Sequence, residues 1–330
     1  MKSLPVYSAS GFIILLVTFF TSCDDLEELD ACEGLSLESL QTTNDISEDC
    51  KAAISDLLPD PEDNLGDNFV SLGLEKSDGY LTLYFLATES NGDARSVAAN
   101  ELAIMETVNG SSQPVDLTDL EVIIRDSVNF SLSSVLDYSG SMTENDINDG
   151  LEIYNDLFPI ISLTGQTEMN HLAFSTEVMQ VLNFTNSIEP LQFQTSIARE
   201  STSLLDGFGI ALDGIKNRGN VFRVVILTTD GHENSSSQYT FDDLVTLANE
   251  NNIFIIALGS LLSDLSFFKE LTDQTNTYFI YAREVIDLKA KVLATGALLS
   301  SNIQGITIPD NGAEVVEVTF NGKTIAYAVP

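Results

Sequence analysis

At 330 residues, 44% of them hydrophobic, the chain is long enough for one large domain and a smaller one, and too apolar to be disordered. Fifty Asp and Glu against 14 Lys and Arg leave a net charge of −36, which excludes nucleic acid as a partner because nothing here could neutralise a phosphate backbone. Such a surface attracts divalent cations and repels acidic ligands unless a metal intervenes.

Lys2, an apolar run over 11–20 and the small polar Thr21 and Ser22 read as a secretory signal peptide over residues 1–22. The run is too short to span a bilayer comfortably, and no later run reaches transmembrane length. The ending Phe20-Thr21-Ser22-Cys23 resembles a bacterial lipobox, with Phe where Leu is usual. That resemblance implies a lipidated Cys23 as mature N-terminus and membrane anchor; ordinary cleavage to a secreted or periplasmic product is the alternative. The following Asp24-Asp25-Leu26-Glu27-Glu28 resembles the export signals of surface lipoproteins in some Gram-negative bacteria, which implies an outer-membrane protein facing outwards. Cys32 and Cys50 are then an even pair in an oxidising compartment, so a disulfide is expected, and no nearby His completes a metal set. Residues 23–68, acidic and broken at Pro59-Asp60-Pro61, read as a tether.

Short strands are expected over 69–74, 80–87, 102–107 and 121–124, with Asn91-Gly92 and Asn109-Gly110 as hairpin turns. The C-terminus has the same character, with strands over 315–320 and 324–329 around Asn321-Gly322. A lone strand pair is not stable in water, so residues 69–127 and 301–330 are expected to build one small β-sandwich around a domain inserted between them. Two independent β extensions are the alternative.

The inserted part begins with a mostly apolar run over 128–136 and then Asp137-Tyr138-Ser139-Gly140-Ser141. One carboxylate and two hydroxyls on alternate residues of a tight turn form a hard oxygen set suited to Mg²⁺, Mn²⁺ or Ca²⁺. Thr143 with Asp146 caps a helix carrying Ile147, Leu151, Tyr154 and Phe158, which Pro159 should end or bend. Strands around 172–174 and 178–184 follow, then a helix over 203–216. A continuous apolar run at 224–227 ends in Thr228-Thr229-Asp230. Thr240 with Asp243 caps another helix, strands follow at 253–258 and 278–281, and Val285, Leu288 and Val292 begin a last helix. Alternating strands and helices argue for an α/β fold with a doubly wound, mostly parallel sheet, whose ligands bind beyond the C-terminal strand ends where Asp137 and Asp230 fall.

Three pieces in order, the Asp137 loop, Thr202-Ser203-Leu204-Leu205-Asp206-Gly207 and the run ending at Asp230, resemble the von Willebrand factor type A (VWA) domain and its metal-ion-dependent adhesion site, over about residues 128–300. Carried over position by position, the resemblance implies that Asp137, Ser139 and Ser141 serve from the first loop, Thr202 from the second and Asp230 from the third. It implies a divalent cation, Mg²⁺ first and Mn²⁺ or Ca²⁺ as alternatives, held directly by hydroxyls and partly through water by carboxylates. An open position would take a Glu or Asp from a protein partner. Arg199-Glu200-Ser201 departs from the family, where many members carry glycines.

The function so implied is a cell-surface or envelope adhesion module that captures an acidic ligand. An envelope scaffold whose cation only stiffens the loops shares every one of these features. A hydrolase is the third class, and an enzyme is not expected: of two histidines, His171 reads as structural and His232 as a loop residue, and Ser139 is not in a Gly-x-Ser-x-Gly elbow.

Overall fold

The computed structural model describes residues 68–330 apart from 90–92, 126–127, 162–165, 188–189, 230–232, 261–262 and 283–284. The signal peptide, Cys23, Cys32, Cys50 and the tether before residue 68 lie outside the described residues, as do Asn91-Gly92, Asp230 and His232. Among the described residues no helix is long and apolar enough to cross a membrane.

The central element is a six-stranded sheet made of β6 (Phe130–Asp137), β7 (Glu168–Phe174), β8 (Val178–Thr185), β9 (Phe222–Thr229), β10 (Phe254–Gly259) and β11 (Thr277–Tyr281), in the order β11-β10-β9-β6-β7-β8. All neighbours are parallel except β7 and β8. Numbered from β6, this is the doubly wound order 3-2-1-4-5-6, reversing between β6 and β9. Helices cover both faces, so strands such as β9 are apolar on both sides: Val224 and Ile226 join one core, Val225 and Leu227 the other. The first core takes α1 (Glu144–Ile161) and α5 (Leu288–Ser301), and the second takes α2 (Leu204–Ile215), α3 (Phe241–Glu250) and α4 (Leu265–Gln274).

Local chemistry sets several boundaries. Thr143 and Asp146 exchange capping bonds, Asp146 N–H donating to Thr143 Oγ1 at 3.1 Å and Thr143 N–H to Asp146 Oδ2 at 2.8 Å. Thr240 and Asp243 repeat the device on α3. Pro159 does not end α1, which runs through it to Ile161; a proline two residues from a C-terminus disturbs only the last turn. The helix α4 was not expected; Asp264 caps it by accepting from the backbone of Ser266 and Phe267.

Two four-stranded antiparallel sheets accompany this core. The first has the order β1 (Asn68–Ser77), β2 (Tyr80–Thr88), β12 (Ile303–Pro309), β5 (Val122–Arg125), and the second β14 (Lys323–Ala328), β13 (Val315–Phe320), β3 (Ala103–Val108), β4 (Ser111–Pro114). Each mixes N-terminal with C-terminal strands, and Phe69, Leu83 and Phe85 of one share a core with Ile104, Val318, Phe320 and Tyr327 of the other. The central strand β12 escaped the sequence reading, although Ile303, Ile306 and Ile308 are its buried apolar residues. Asn109-Gly110 and Asn321-Gly322 both have positive φ at each central position, as a twisted two-residue hairpin requires.

The sandwich packs at the N-terminal ends of the parallel strands. Tyr84 meets Phe222, the first residue of β9, edge-on at 4.9 Å, and Phe222 meets Phe130, the first of β6, at 5.5 Å. Two asparagines act as surrogate strand partners for the sandwich edges. Asn252 donates to Ala328 O at 2.9 Å and accepts from Ala328 N–H at 3.0 Å. Asn276 likewise donates to Ser71 O and accepts from Ser71 N–H at 2.9 Å, beside a bulge in β1 between Ser71 and Gly73. Asn276→Ala leaves the backbone donor and acceptor of buried Ser71 unpaired. It is expected to cost about 1–3 kcal/mol, read as a shift in the urea midpoint; an unchanged midpoint would mean that water replaces the amide without loss.

Candidate metal centre

The C-terminal end of the sheet is built from the loops after β6, before α2 and after β9, which meet at the order reversal. Asp137, the last residue of β6, is fully buried. Its Oδ1 accepts from Ser139 N–H at 2.7 Å and its Oδ2 from the Thr229 hydroxyl at 2.5 Å. Burial raises the Asp137 pKa, opposed by the Thr229 hydroxyl, the Ser139 donors and the Arg199 charge. Ser139 is buried and Ser141 exposed, with their hydroxyl oxygens 2.9 Å apart. A carboxylate sealed from water beside a pair of hydroxyl oxygens fits a hard divalent cation, which would supply the charge compensation that burial removes.

The second loop is held against the first. Gly140 N–H points at Glu200 O at 3.4 Å, and a Cβ at Gly140 would lie 3.2 Å from that oxygen and 3.4 Å from Arg199 O, so the loops close up over a glycine. The departing Arg199-Glu200 pair thus meets the first loop through its carbonyls. Ser175, just past β7, is the hub: its backbone O accepts from Ser203 N–H at 2.7 Å, and its hydroxyl accepts from Glu200 N–H and donates to Ser201 O, both at 3.1 Å. Thr202 is nearly buried, and its N–H donates to Asn234 Oδ1 at 2.8 Å.

The third loop is tied down from Glu233 onwards. Glu233 accepts from the N–H groups of Leu205, Ser235 and Ser236. Asp206 accepts from those of Ser237, Gln238 and Tyr239 at 2.8–2.9 Å. The structure therefore brings Asp137, Ser139 and Ser141 together, sets the Thr202 segment against their loop and ends β9 one residue before Asp230. Ser175, Glu233 and Asn234 were missed; the only sequence signal was the polar run 232–237 after a buried strand. Among the described residues no group of three or more His, Cys, Asp or Glu converges, and the donors brought together there are the Asp137 carboxylate and the Ser139 and Ser141 hydroxyls.

The sequence suggested no nucleophile–base pair, yet parallel pairing of β6 with β7 sets Ser134 Oγ 2.8 Å from His171 Nδ1. Both are fully buried, and burial pushes His171 down to about 3. The ring also packs edge-on to Tyr154 at 5.6 Å. A dyad beneath α1 with no exposed atom gives a substrate no access.

No family model matches the chain, and no curated protein matches it. Among solved structures it is similar to proximal thread matrix protein 1 from the mussel byssus, at 18% identity over 59% of this chain and 52% of that one, TM-score 0.44. A structure of that protein "with zinc occupied MIDAS motif" matches at 15% identity over 58% and 50%, TM-score 0.42. The ArnB paralog VWA2 from Sulfolobus acidocaldarius matches at 13% identity over 79% and 73%, TM-score 0.44. The chain thus spans about half the length of the first two. TM-scores below 0.5 leave the family open, and the doubly wound fold rests on the strand order itself.

Asp206 supplies a pH test of the third loop. Burial raises its pKa, but the three backbone donors outweigh this and hold it below the ordinary 3.8. A depressed carboxylate stabilises above its ordinary pKa and loses that contribution as pH falls through the folded value. Intrinsically corrected amide exchange at Ser237, Gln238 and Tyr239 is expected to accelerate below about pH 3.8 and to be fast and flat in Asp206→Asn.

Proposed function

We propose that this end of the sheet is a metal-ion-dependent adhesion site of a VWA-family protein and that the chain captures a protein ligand through a divalent cation. The observation that carries the reading is the buried Asp137 carboxylate, held by Thr229 and Ser139 at the switch point beside the Ser139 and Ser141 hydroxyls. Asp137, Ser139, Ser141, Thr202 and Asp230 would hold the ion, Mg²⁺ first and Mn²⁺ or Ca²⁺ otherwise. When bound, the ion supplies an electrophilic position for a Glu or Asp of the partner. The protein's part is to keep the loops fixed and dry: Ser175 and Asn234 position the Thr202 segment, and Gly140 allows the close approach. We read the chain as a binding protein and not an enzyme, since its Ser134–His171 pair is sealed.

Calorimetric titration of Mg²⁺, Mn²⁺ and Ca²⁺ tests the site, with circular dichroism as folding control. Asp137→Ala and Asp230→Ala are each expected to abolish stoichiometric binding, because a hard cation needs that charge. Thr202→Ala should weaken the ion only modestly yet lose an acidic partner that wild type retains without EDTA and releases with it. Unchanged affinity in Asp137→Ala would mean that cations are held only by the diffuse acidic surface, and an ion that binds without affecting any partner would favour the scaffold.

For placement, we propose anchoring at Cys23 to the outer membrane, with the acidic tether carrying the domains outside the cell and a Cys32–Cys50 disulfide within it. Cys23→Ser is expected to release the protein or leave an unprocessed precursor. A soluble wild-type product with an unmodified N-terminus would overturn anchoring, and protease shaving of whole cells reads the exposed face.

A further inference from the structure

The β-sandwich holds a carboxylate with no evident reason to be there. Glu106 lies on the same face of β3 as Ile104, turned towards the sandwich core, and is 2% exposed. Its strand neighbours are Val316 of β13 and Gln113 of β4. Oε1 accepts from Gln113 Nε2 at 2.9 Å and from Asn311 Nδ2 at 2.8 Å. Oε2 is equally enclosed and has no hydrogen-bond partner among the described residues, and no ion pair there neutralises the group. A buried carboxylate oxygen left without a donor is costly, and buried charges are ordinarily paired or bound to metal.

We propose that Glu106, Gln113 and Asn311 form a second cation site, of the calcium class, at the lip of the sandwich. Both amide residues are exposed and cover Glu106 from the solvent side. A half-turn about the last side-chain bond of an amide puts its carbonyl oxygen where its NH₂ was, so two groups that now donate to Glu106 become two oxygen ligands. Both Glu106 oxygens, two amide oxygens and waters from the open side make a set of the kind Ca²⁺ accepts at six to eight ligands. Mg²⁺, which demands a near-ideal octahedron, is served less well. One carboxylate places the affinity at the weak end, with a dissociation constant of about 10⁻⁴ to 10⁻³ M. The bound ion would join β3 to the edge strand β4 and to the 310–312 turn leading into β13, so calcium would stiffen the sandwich. The inference is independent of the three-loop site.

Thermal melting of the full chain tests it in an Asp137→Ala background, which silences the first site. Ca²⁺ is expected to raise the melting temperature with half-saturation near a millimolar or below, and Glu106→Gln in that background to abolish the rise. Asn311→Asp supplies a gain of function at an exposed position: a second carboxylate should tighten calcium binding about tenfold. If no cation binds there, the same change sets two carboxylates together, and melting falls without rescue by calcium. That result, an absent calcium response in Asp137→Ala, or an equal response in Glu106→Gln would overturn the proposal. Should Glu106→Gln not fold, Asn311→Asp decides alone, since its two outcomes have opposite sign.

Discussion

A carboxylate closed off from water at the end of a parallel strand is the constraint around which this molecule is arranged. The Thr229 hydroxyl and the Ser139 N–H meet the Asp137 carboxylate directly, both delivered by neighbours that must be rigid to reach it. The Thr229 hydroxyl reaches across because β6 and β9 are adjacent at the order reversal, and Ser139 N–H reaches back because the chain turns at once. Thr229 is itself steadied from the next loop, where Ser263 donates to its carbonyl at 2.9 Å. The sheet order, the sharp turn and the polar strand ends are thus one solution to one electrostatic problem.

The other end of the sheet solves a backbone problem. A sandwich with open edges presents unpaired N–H and C=O groups, a known liability. Here Asn252 and Asn276, sitting before β10 and β11, offer amides that copy a strand's donor and acceptor. The aromatic contacts of Tyr84, Phe222 and Phe130 fill the space between. The candidate metal site and the structural attachment are therefore kept at opposite ends of the same strands.

Much of this was visible in the amino-acid order because strands buried on both faces must be continuously apolar, and because the Asp-x-Ser-x-Ser turn, the Thr202 segment and the run ending at Asp230 follow one another in order. The runs ending at Asp137 and Thr229 and the capping pairs Thr143–Asp146 and Thr240–Asp243 are local signals that depend on residues a few positions apart. What escaped depends on distance. Ser175 with Glu200, Asn234 with Thr202 and Asp206 with Ser237 are side-chain-to-backbone bonds across 25 to 32 residues, and no periodicity announces them. Ser134 and His171 meet only through strand register. The strand β12 was hidden because its seven residues include Gly305 and Pro309, which usually mark a loop.

The interleaving of early and late strands has a kinetic consequence. Tyr327 donates to Tyr84 O and Thr82 meets Thr307, contacts separated by 243 and 225 residues. Closing loops of that length in a flexible chain is slow, because the entropy must be given up before any contact rewards it. Once the six-stranded sheet has formed, however, residues on either side of it are delivered to the same place, and the loop still to be closed shrinks to the segments that flank the sheet. A chain interrupted before residue 303 would carry β2 and β5 without the strand that pairs with both, and β3 without β13, their apolar faces waiting for strands not yet made.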